Sequence, residues 1–196
     1  MNKIRKIAVF CGSSKGFDNI FSSQSRLLGR TLAENGIEVI YGGASVGLMG
    51  EVADGALESG GKVTGVFPDF LMEREIAHER LTEMIIVESM HARKLRMNDM
   101  SDAVIALPGG FGTLEEMFEM LTWGQLGLHT KPVALLNTAG FYDDMIKLIN
   151  NMVGRGFLKE HNRKLLLIDD NIDKILEKIR GYAAPEIKKW ISEDEV

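Results

Sequence analysis

The sequence has one cysteine, Cys11, in 196 residues, which excludes an internal disulfide and a cysteine-rich zinc site. It also lacks a basic excess, because 23 lysines and arginines are outnumbered by 28 aspartates and glutamates. Nucleic-acid-binding proteins normally present a basic face, so we expect no nucleic-acid partner. No apolar run approaches the ~20 residues of a membrane-spanning helix, and the first residues lack a signal-peptide pattern. We therefore expect a cytoplasmic protein that does not associate with a membrane.

Two common nucleotide-binding signatures are also missing. Nothing matches the P-loop pattern G-x-x-x-x-G-K-[ST], which argues against a P-loop kinase or ATPase. The turn Gly12-Ser13-Ser14 is not G-x-G-x-x-G, and the second strand-like run ends in Tyr41-Gly42-Gly43 rather than in an acidic residue for a ribose diol. NAD binding in the usual manner is disfavoured, and a mononucleotide fits better than a dinucleotide.

Strand-like and helical patterns alternate along the chain, joined by short connections. Strands are expected at residues 7–11, 38–41, 62–67, 84–87, 103–107, 132–136 and 165–168, and helices at 19–34, 45–57, 90–100, from Leu114, 143–152 and 172–179. Residues 69–80 are expected to form a short helix and a loop over one end of the sheet. This alternation predicts an α/β fold, a doubly wound and mainly parallel sheet with helices on both faces. We expect one domain, residues 1–196, whose tail (183–196) could dock or fray.

Three glycine- or serine-rich turns follow predicted strands, at residues 12–14, 42–50 and 108–113. In open α/β sheets, ligands lie beyond the carboxyl ends of the strands, near the switch in strand order. Glycines let the backbone approach a ligand closely, and helix N-terminal N–H groups bind anions. One such turn is weak evidence, but three in register predict a phosphate-bearing ligand.

Residues 108–116, PGGFGTLEE, join a glycine turn to two carboxylates at the start of a helix. Residues 113–116 also fit the capping box [ST]-x-x-[DE], in which the glutamate bonds back to a backbone N–H. The pattern alone leaves capping and function equally open for Glu116. Its helical position lies away from the apolar face of Leu114 and Met117, so Glu116 could instead face the crevice at the strand ends.

Residues 90–96, MHARKLR, crowd three cations into the first two turns of a predicted helix. The helix dipole favours negative charge there, so an anion or a carboxylate opposite would offset the misplacement. A solvated basic face explains Lys94 and Arg96 about as well as any role. A functional role is favoured for Arg93, because a guanidinium suits bidentate binding of phosphate or carboxylate.

The other reactive side chains lack partners in the sequence. Four histidines show no ligand spacing, and we expect neither a metal nor a cofactor: His78, His91, His129 and His161. Ser13 has no visible Asp/His partner set, so a serine hydrolase is unsupported. Cys11 is expected to be a small core residue at a strand end.

Residues 42–50, the start of the MHARKLR segment and residues 108–116 together resemble the LONELY GUY (LOG) family of cytokinin riboside 5′-monophosphate phosphoribohydrolases, once mislabelled as lysine decarboxylases. The resemblance spans residue 7 to about residue 182, and the paired motif MHxRK and PGGxGTxxE is highly specific. It implies a Rossmann-like homodimer that cleaves the N-glycosidic bond of a nucleoside 5′-monophosphate, giving free base and ribose 5-phosphate. The preferred base, adenine, prenylated adenine or another, stays open, because two variable motif positions hold Ala92 and Phe111.

The resemblance implies that Arg93 and Glu116 are the essential catalytic pair. It also implies substrate contacts from Glu75, Arg93, Lys94, Gly109, Gly110, Phe111, Gly112, Thr113, Leu114, Glu115 and Thr122, to which the other glycine turns add Gly12, Ser13 and Gly43. We expect the amides of residues 109–113 to hold the 5′-phosphate and Arg93 to position substrate or stabilise charge near the leaving base. Glu116 would stabilise the oxocarbenium-like state and orient or deprotonate water.

Two other functions stay open at this stage. One is a non-catalytic nucleotide or molybdenum-cofactor carrier on the same fold, which release of adenine from AMP would exclude. The other is a pyridoxal-dependent decarboxylase, which needs a Schiff-base lysine and a partner for the pyridinium nitrogen. The sequence offers no evident set of residues for that chemistry.

Overall fold

The computed structural model describes residues 3–71 and 77–185, and a sheet of seven strands runs through them. The strands are β1 (Lys6–Phe10), β2 (Glu38–Tyr41), β3 (Val63–Pro68), β4 (Glu83–Val87), β5 (Ala103–Ala106), β6 (Val133–Leu136) and β7 (Leu166–Asp169). All neighbouring pairs are parallel, in the order β4-β3-β2-β1-β5-β6-β7. The predicted α/β fold is confirmed, and each predicted strand lies within one residue of its expected bounds.

Helices cover both faces of the sheet. They are α1 (Asn19–Glu34), α2 (Gly47–Glu58), α3 (Met90–Met100), α4 (Phe111–Leu126), α5 (Asp143–Gly154), α6 (Glu160–Arg163) and α7 (Ile172–Arg180), with 3₁₀ turns at Asp69–Leu71 and Thr138–Gly140. The first two helices and α7 pack on one face, and α3, α4 and α5 pack on the other. The short α6 was not predicted, because its four residues carry no apolar periodicity. No helix in the described ranges is long and apolar enough to cross a membrane.

The central strands are apolar without alternation because both of their faces are buried. In β1, Ile7 and Val9 enter the core on one face, whereas Ala8 and Phe10 enter the core on the other. Successive side chains of a strand point to opposite faces, so a strand covered on both sides needs an apolar residue at every position. The edge strand β4 is covered less well and leaves Ile86 exposed.

The strand order reverses between β1 and β5, which places the turns that follow these two strands side by side. The Gly12 N–H donates to the Pro108 carbonyl at 3.0 Å. A Cβ on Gly12 would lie 3.3 Å from the Cα of Gly109, so the two backbones approach closely where side chains are missing. Two of the predicted glycine turns therefore meet at the switch point of the sheet, where open α/β sheets bind ligands.

The helices α1 and α2 pack backbone against backbone through glycines. A Cβ on Gly29 would lie 2.0 Å from the Val52 carbonyl oxygen, and a Cβ on Gly55 would lie 2.1 Å from the Arg26 carbonyl oxygen. Neither position can hold a larger residue without moving one helix away from the other. The start of α2 is tied to the switch point, because the Leu48 N–H donates to the Gly12 carbonyl at 3.0 Å.

We predict that Gly55→Ala lowers the free energy of unfolding by about 1–3 kcal/mol, because the new methyl group overpacks the α1–α2 contact. Urea denaturation measures this change. The matched control is Gly154→Ala on α5, where an added Cβ meets nothing within 4 Å. The control should be neutral or slightly stabilising. Equal midpoints for the two variants would contradict the close packing of α1 and α2.

Candidate active site

The helix α4 begins earlier than the sequence pattern predicts. Its N-cap is Gly110, in an extended conformation, and the Leu114 N–H donates to the Gly110 carbonyl at 3.1 Å. Thr113 therefore lies inside the first turn and is not the N-cap. The capping-box interpretation of Glu116 is wrong, because Glu116 lies beyond the unpaired N–H groups of that turn.

An early helix start leaves anion-binding groups at the end of β5. The N–H groups of Phe111, Gly112 and Thr113 precede the first intrahelical donor, the Leu114 N–H, so they are free to bind an anion. Beside them lies a cavity of about 290 Å³ at the carboxyl ends of β1 and β2 and at the starts of α3 and α4. The cavity is lined by Val9, Phe10, Cys11, Gly12, Ser13, Gly42, Met49, Met90, Arg93, Met97, Gly110, Phe111, Gly112, Thr113, Glu115 and Glu116.

Arg93 and Glu116 face each other across this cavity. Arg93 Nη1 lies 3.6 Å from Glu116 Oε1, and each side chain is 11% exposed. Arg93 Nε also donates to the Val66 carbonyl at 3.2 Å, which ties the guanidinium to β3. A Cβ at Gly42 would lie 1.9 Å from Arg93 Nη2. The absence of a side chain at Gly42 therefore provides the space that the guanidinium occupies.

Burial controls the charge of Glu116. Loss of solvent raises the pKa of the Glu116 carboxyl to about 7, and the Arg93 cation opposes part of this rise. Glu115 raises the same pKa, Lys94 lowers it, and Glu119 raises it. A carboxyl with a pKa near neutrality is present in both protonation states at pH 7, which suits a general acid or base.

The structure places Lys94 differently from Arg93. Its side chain is only 6% exposed, and its ammonium group lies 2.6 Å from Glu115 Oε1 and 3.0 Å from Glu119 Oε2. The solvated-face interpretation is therefore wrong for Lys94, whereas Arg96 is exposed and fits it. The sequence predicted an anion or a carboxylate opposite the cations at the start of α3. For Lys94, Glu115 and Glu119 provide these carboxylates.

Most of the remaining predicted contacts converge on the cavity. Gly12, Ser13, Gly110, Phe111, Gly112, Thr113 and Glu115 all line it. Gly109 lies just behind, where a Cβ would come 2.1 Å from Thr113 Oγ1. Gly109 lines a second hollow of about 320 Å³ on the other side of the Gly12 turn, next to Phe21 and Phe141.

Other predicted contacts lie elsewhere in the described structure. Leu114 is half-buried and packs against the core beneath α4, and Thr122 is exposed with its hydroxyl donating to the Phe118 carbonyl. Gly43 is buried with φ of 82° and accepts a hydrogen bond from the His78 N–H. None of these three residues lines the cavity. Glu75 lies outside the described residues.

Sequence reasoning missed the apolar wall of the cavity. Met90, Met97 and Met49 line it, and Met97 is also buried in the core beneath α3. The signal was present, because Met90 and Met97 flank Arg93 at i−3 and i+4, which places them on the same helical face. These side chains give the cavity a flexible apolar surface beside its charged pair.

Among the residues that the structure describes, no group of three or more His, Cys, Asp or Glu side chains could hold a metal ion. Cys11 also lines the cavity, but burial raises the pKa of its thiol. A neutral thiol is a weak nucleophile. The cavity therefore offers amides for an anion, a carboxyl that titrates near pH 7 and a guanidinium.

Sequence comparison with known proteins relates this chain to one family. Residues 49–179 match the family described as "Possible lysine decarboxylase". Cytokinin riboside 5′-monophosphate phosphoribohydrolases from Arabidopsis thaliana and Oryza sativa subsp. japonica are 42% and 43% identical to this chain, each over 181 residues. These alignments cover 92% of this chain and 85% and 75% of the two relatives.

Solved structures share the fold at lower identity. The molybdenum cofactor carrier protein of Chlamydomonas reinhardtii has a TM-score of 0.69 at 21% identity, covering 91% of this chain and 98% of that chain. The molybdenum cofactor binding protein of Rippkaea orientalis has a TM-score of 0.68 at 23% identity, covering 92% of this chain and 98% of that chain. At these identities the likeness establishes the fold alone.

We predict that Glu116→Gln raises the melting temperature at pH 8 and leaves it nearly unchanged at pH 4. The glutamine resembles the protonated acid, which the folded chain prefers because the pKa of Glu116 rises from 4.5 to about 7. Stability from this preference is complete below pH 4.5 and is lost as pH rises through 7. Melts followed by circular dichroism test this, with about 2–4 °C expected for each kcal/mol regained.

The control is Glu160→Gln, at an exposed position on α6, which should not change the pH dependence of melting. A Glu116→Gln protein less stable than wild type at pH 8 would show that the ionised carboxylate stabilises the fold.

Proposed function

The chain belongs to the LONELY GUY (LOG) family, and we propose that it is a nucleoside 5′-monophosphate phosphoribohydrolase. It hydrolyses the N-glycosidic bond of AMP or of a cytokinin riboside 5′-monophosphate to free base and ribose 5-phosphate. The chain is more than 40% identical, across nine-tenths of its length, to cytokinin riboside 5′-monophosphate phosphoribohydrolases, and this similarity supports the reaction. The observation that carries the proposal is the Arg93–Glu116 pair in the same cavity as the unpaired amides of α4.

The 5′-phosphate binds at the start of α4. The N–H groups of Phe111, Gly112 and Thr113 point towards it, and the positive end of the helix dipole favours its charge. Ser13 enters the same cavity from the turn after β1 and can donate its hydroxyl. Phosphate held here places the sugar towards Glu116, which follows on the same helix.

Glu116 acts at the anomeric carbon of the bound sugar. Cleavage of the glycosidic bond leaves its electron pair on the base and positive charge on the ribosyl ring, which the carboxylate stabilises. The carboxylate takes a proton from water as the water oxygen bonds to the anomeric carbon, and Glu116 then returns this proton, through solvent, to the departing base nitrogen. Arg93, anchored to Val66, stabilises charge near the leaving base and keeps Glu116 in place.

The two alternative functions fit the cavity less well. A decarboxylase needs a neutral lysine for its Schiff base, but the carboxylates of Glu115 and Glu119 outweigh burial and raise the pKa of Lys94. A non-catalytic carrier has no need for a buried carboxyl with a pKa near neutrality. The likeness to molybdenum cofactor proteins extends to the fold alone.

We predict that purified protein releases adenine from AMP, and that kcat/KM rises with pH through about 7 as Glu116 ionises. Glu116→Gln should lower kcat by about 10²–10⁴-fold, because it removes a general base, while KM changes by less than about threefold. Chromatographic quantification of released base across pH 5–9 measures both effects.

Adenosine and ATP are the substrate controls, and Glu160→Gln is the protein control. The phosphate of AMP has its own pKa of about 6, so its ionisation could also change the rate with pH. The rise of kcat/KM near pH 7 belongs to Glu116 only if it disappears in Glu116→Gln. Absence of base release from every 5′-monophosphate tested would refute the enzyme and support the carrier.

We also infer a cytoplasmic homodimer. The support is a set of exposed apolar side chains on the adjoining elements β4, α3 and α4, namely Ile86, Met90, Leu95, Phe111 and Phe118. Exposed apolar residues on neighbouring elements mark interaction surfaces in soluble proteins. A cytoplasmic location agrees with a buried, unpaired Cys11.

We predict that sedimentation equilibrium gives twice the chain mass, and that Leu95→Glu on α3 shifts it towards the monomer by placing a charge in the contact. The matched control is Leu148→Glu on α5, at a side chain that is similarly exposed. Dissociation in both variants, or in neither, would contradict the assignment of the contact to α3.

A further inference from the structure

Charged residues from two helices meet next to the proposed catalytic pair. The helix α3 supplies consecutive cations, Arg93 and Lys94, and α4 supplies Glu115, Glu116 and Glu119. Consecutive helical residues project about 100° apart, so the two cations cannot face the same partner. Arg93 turns into the cavity towards Glu116, whereas Lys94 turns towards the other two carboxylates.

The contacts of Lys94 leave little scope for a substrate. Its ammonium group is within 3.0 Å of carboxylate oxygens from both Glu115 and Glu119, and the side chain is 6% exposed. Lys94 does not line the cavity, although its partner Glu115 does. To reach a nucleotide, Lys94 would have to abandon two carboxylates, one of which, Glu119, is largely buried.

We infer that Lys94 is a positioning residue rather than a substrate ligand: its bridge to Glu115 and Glu119 locks α3 against α4 and so fixes the geometry of Arg93 and Glu116. The inference rests on the proposed function of that pair. Arg93 and Lys94 are adjacent on one helix, and Glu116 lies between the two partners of Lys94 on the other. A shift of one helix against the other therefore changes the distance between the two catalytic side chains.

The same bridge also sets the charge around Glu116. The charged groups that act on its pKa are Arg93 and Lys94 from α3 and Glu115 and Glu119 from α4, and the Cys11 thiol faces it from the turn after β1. Lys94 lowers the pKa of Glu116, and Glu119 raises it. Removal of either charge should therefore move the acid limb of the pH–rate profile, and the two removals should move it in opposite directions.

The test compares Lys94→Met, Glu119→Gln and Lys94→Arg with wild type, using AMP as the substrate. For Lys94→Met we expect kcat to fall roughly 10- to 100-fold, because the pair is misplaced, with KM changed by less than about threefold. Its acid limb should move to higher pH, and that of Glu119→Gln to lower pH. Lys94→Arg keeps the charge and should recover most of kcat.

Two results would overturn the inference. An increase of about tenfold or more in KM for AMP and in the inhibition constant of ribose 5-phosphate, with an unmoved acid limb, would make Lys94 a ligand. A lower melting temperature with unchanged kcat and an unmoved limb would make the bridge merely structural. If Lys94→Met does not fold, Glu119→Gln still tests the inference, because its acid limb should move to lower pH.

Failure of the proposed function is distinguishable from failure of this inference. If wild type releases no base, the titration of Glu116 is followed directly by carbon NMR of its labelled carboxyl group. Opposite shifts in Lys94→Met and Glu119→Gln would then support the bridge without any turnover. Identical titration in the three proteins would refute its electrostatic part.

Discussion

The site depends on one unfavourable arrangement, the burial of a carboxyl that has only a loose partner. Arg93 approaches Glu116 to 3.6 Å, which is longer than a close charge-assisted hydrogen bond. The cation therefore offsets only part of the desolvation, and the pKa of Glu116 stays near 7. A closer ion pair would keep Glu116 ionised, but its carboxylate would then be bound to Arg93 and would not be free to accept a proton. The rest of the structure keeps this distance open, through the Val66 carbonyl on one side and the Lys94 bridge on the other.

Close backbone contacts make this arrangement possible. Gly12 and Gly109 let the turns after β1 and β5 touch, and Gly42 provides the space for the Arg93 guanidinium. The pair Gly29 and Gly55 holds α2 against α1, and Leu48 of α2 is bonded to Gly12. Each of these glycines is needed because a side chain at its position would crowd a neighbouring atom. They fix the shape of the cavity without contributing any functional group to its chemistry.

The sheet was predictable from the sequence because each apolar run is bounded by glycine, proline or polar residues, and this pattern is local. The role of Glu116 was less predictable, because the start of α4 depends on the backbone conformation of Gly110 and not on a side-chain pattern. The sequence left a solvated face and a functional role equally open for Lys94, because its partners come from α4, which only tertiary packing brings near. Methionines that line the cavity resemble core residues, since both positions favour apolar side chains on one helical face.

The unpaired amides at the start of α4 and the Glu116 carboxylate belong to one helix. Phe111 and Glu116 are separated along its axis by about 7.5 Å at the usual helical rise. Under the proposed function, α4 therefore sets the distance between the bound phosphate and the anomeric carbon of the substrate. A nucleotide phosphorylated at another hydroxyl, or with a longer phosphate chain bound by its terminal group, would present the wrong atom to the carboxylate. Selection of the 5′-monophosphate thus follows from a length built into the backbone, and needs no side chain that recognises the sugar.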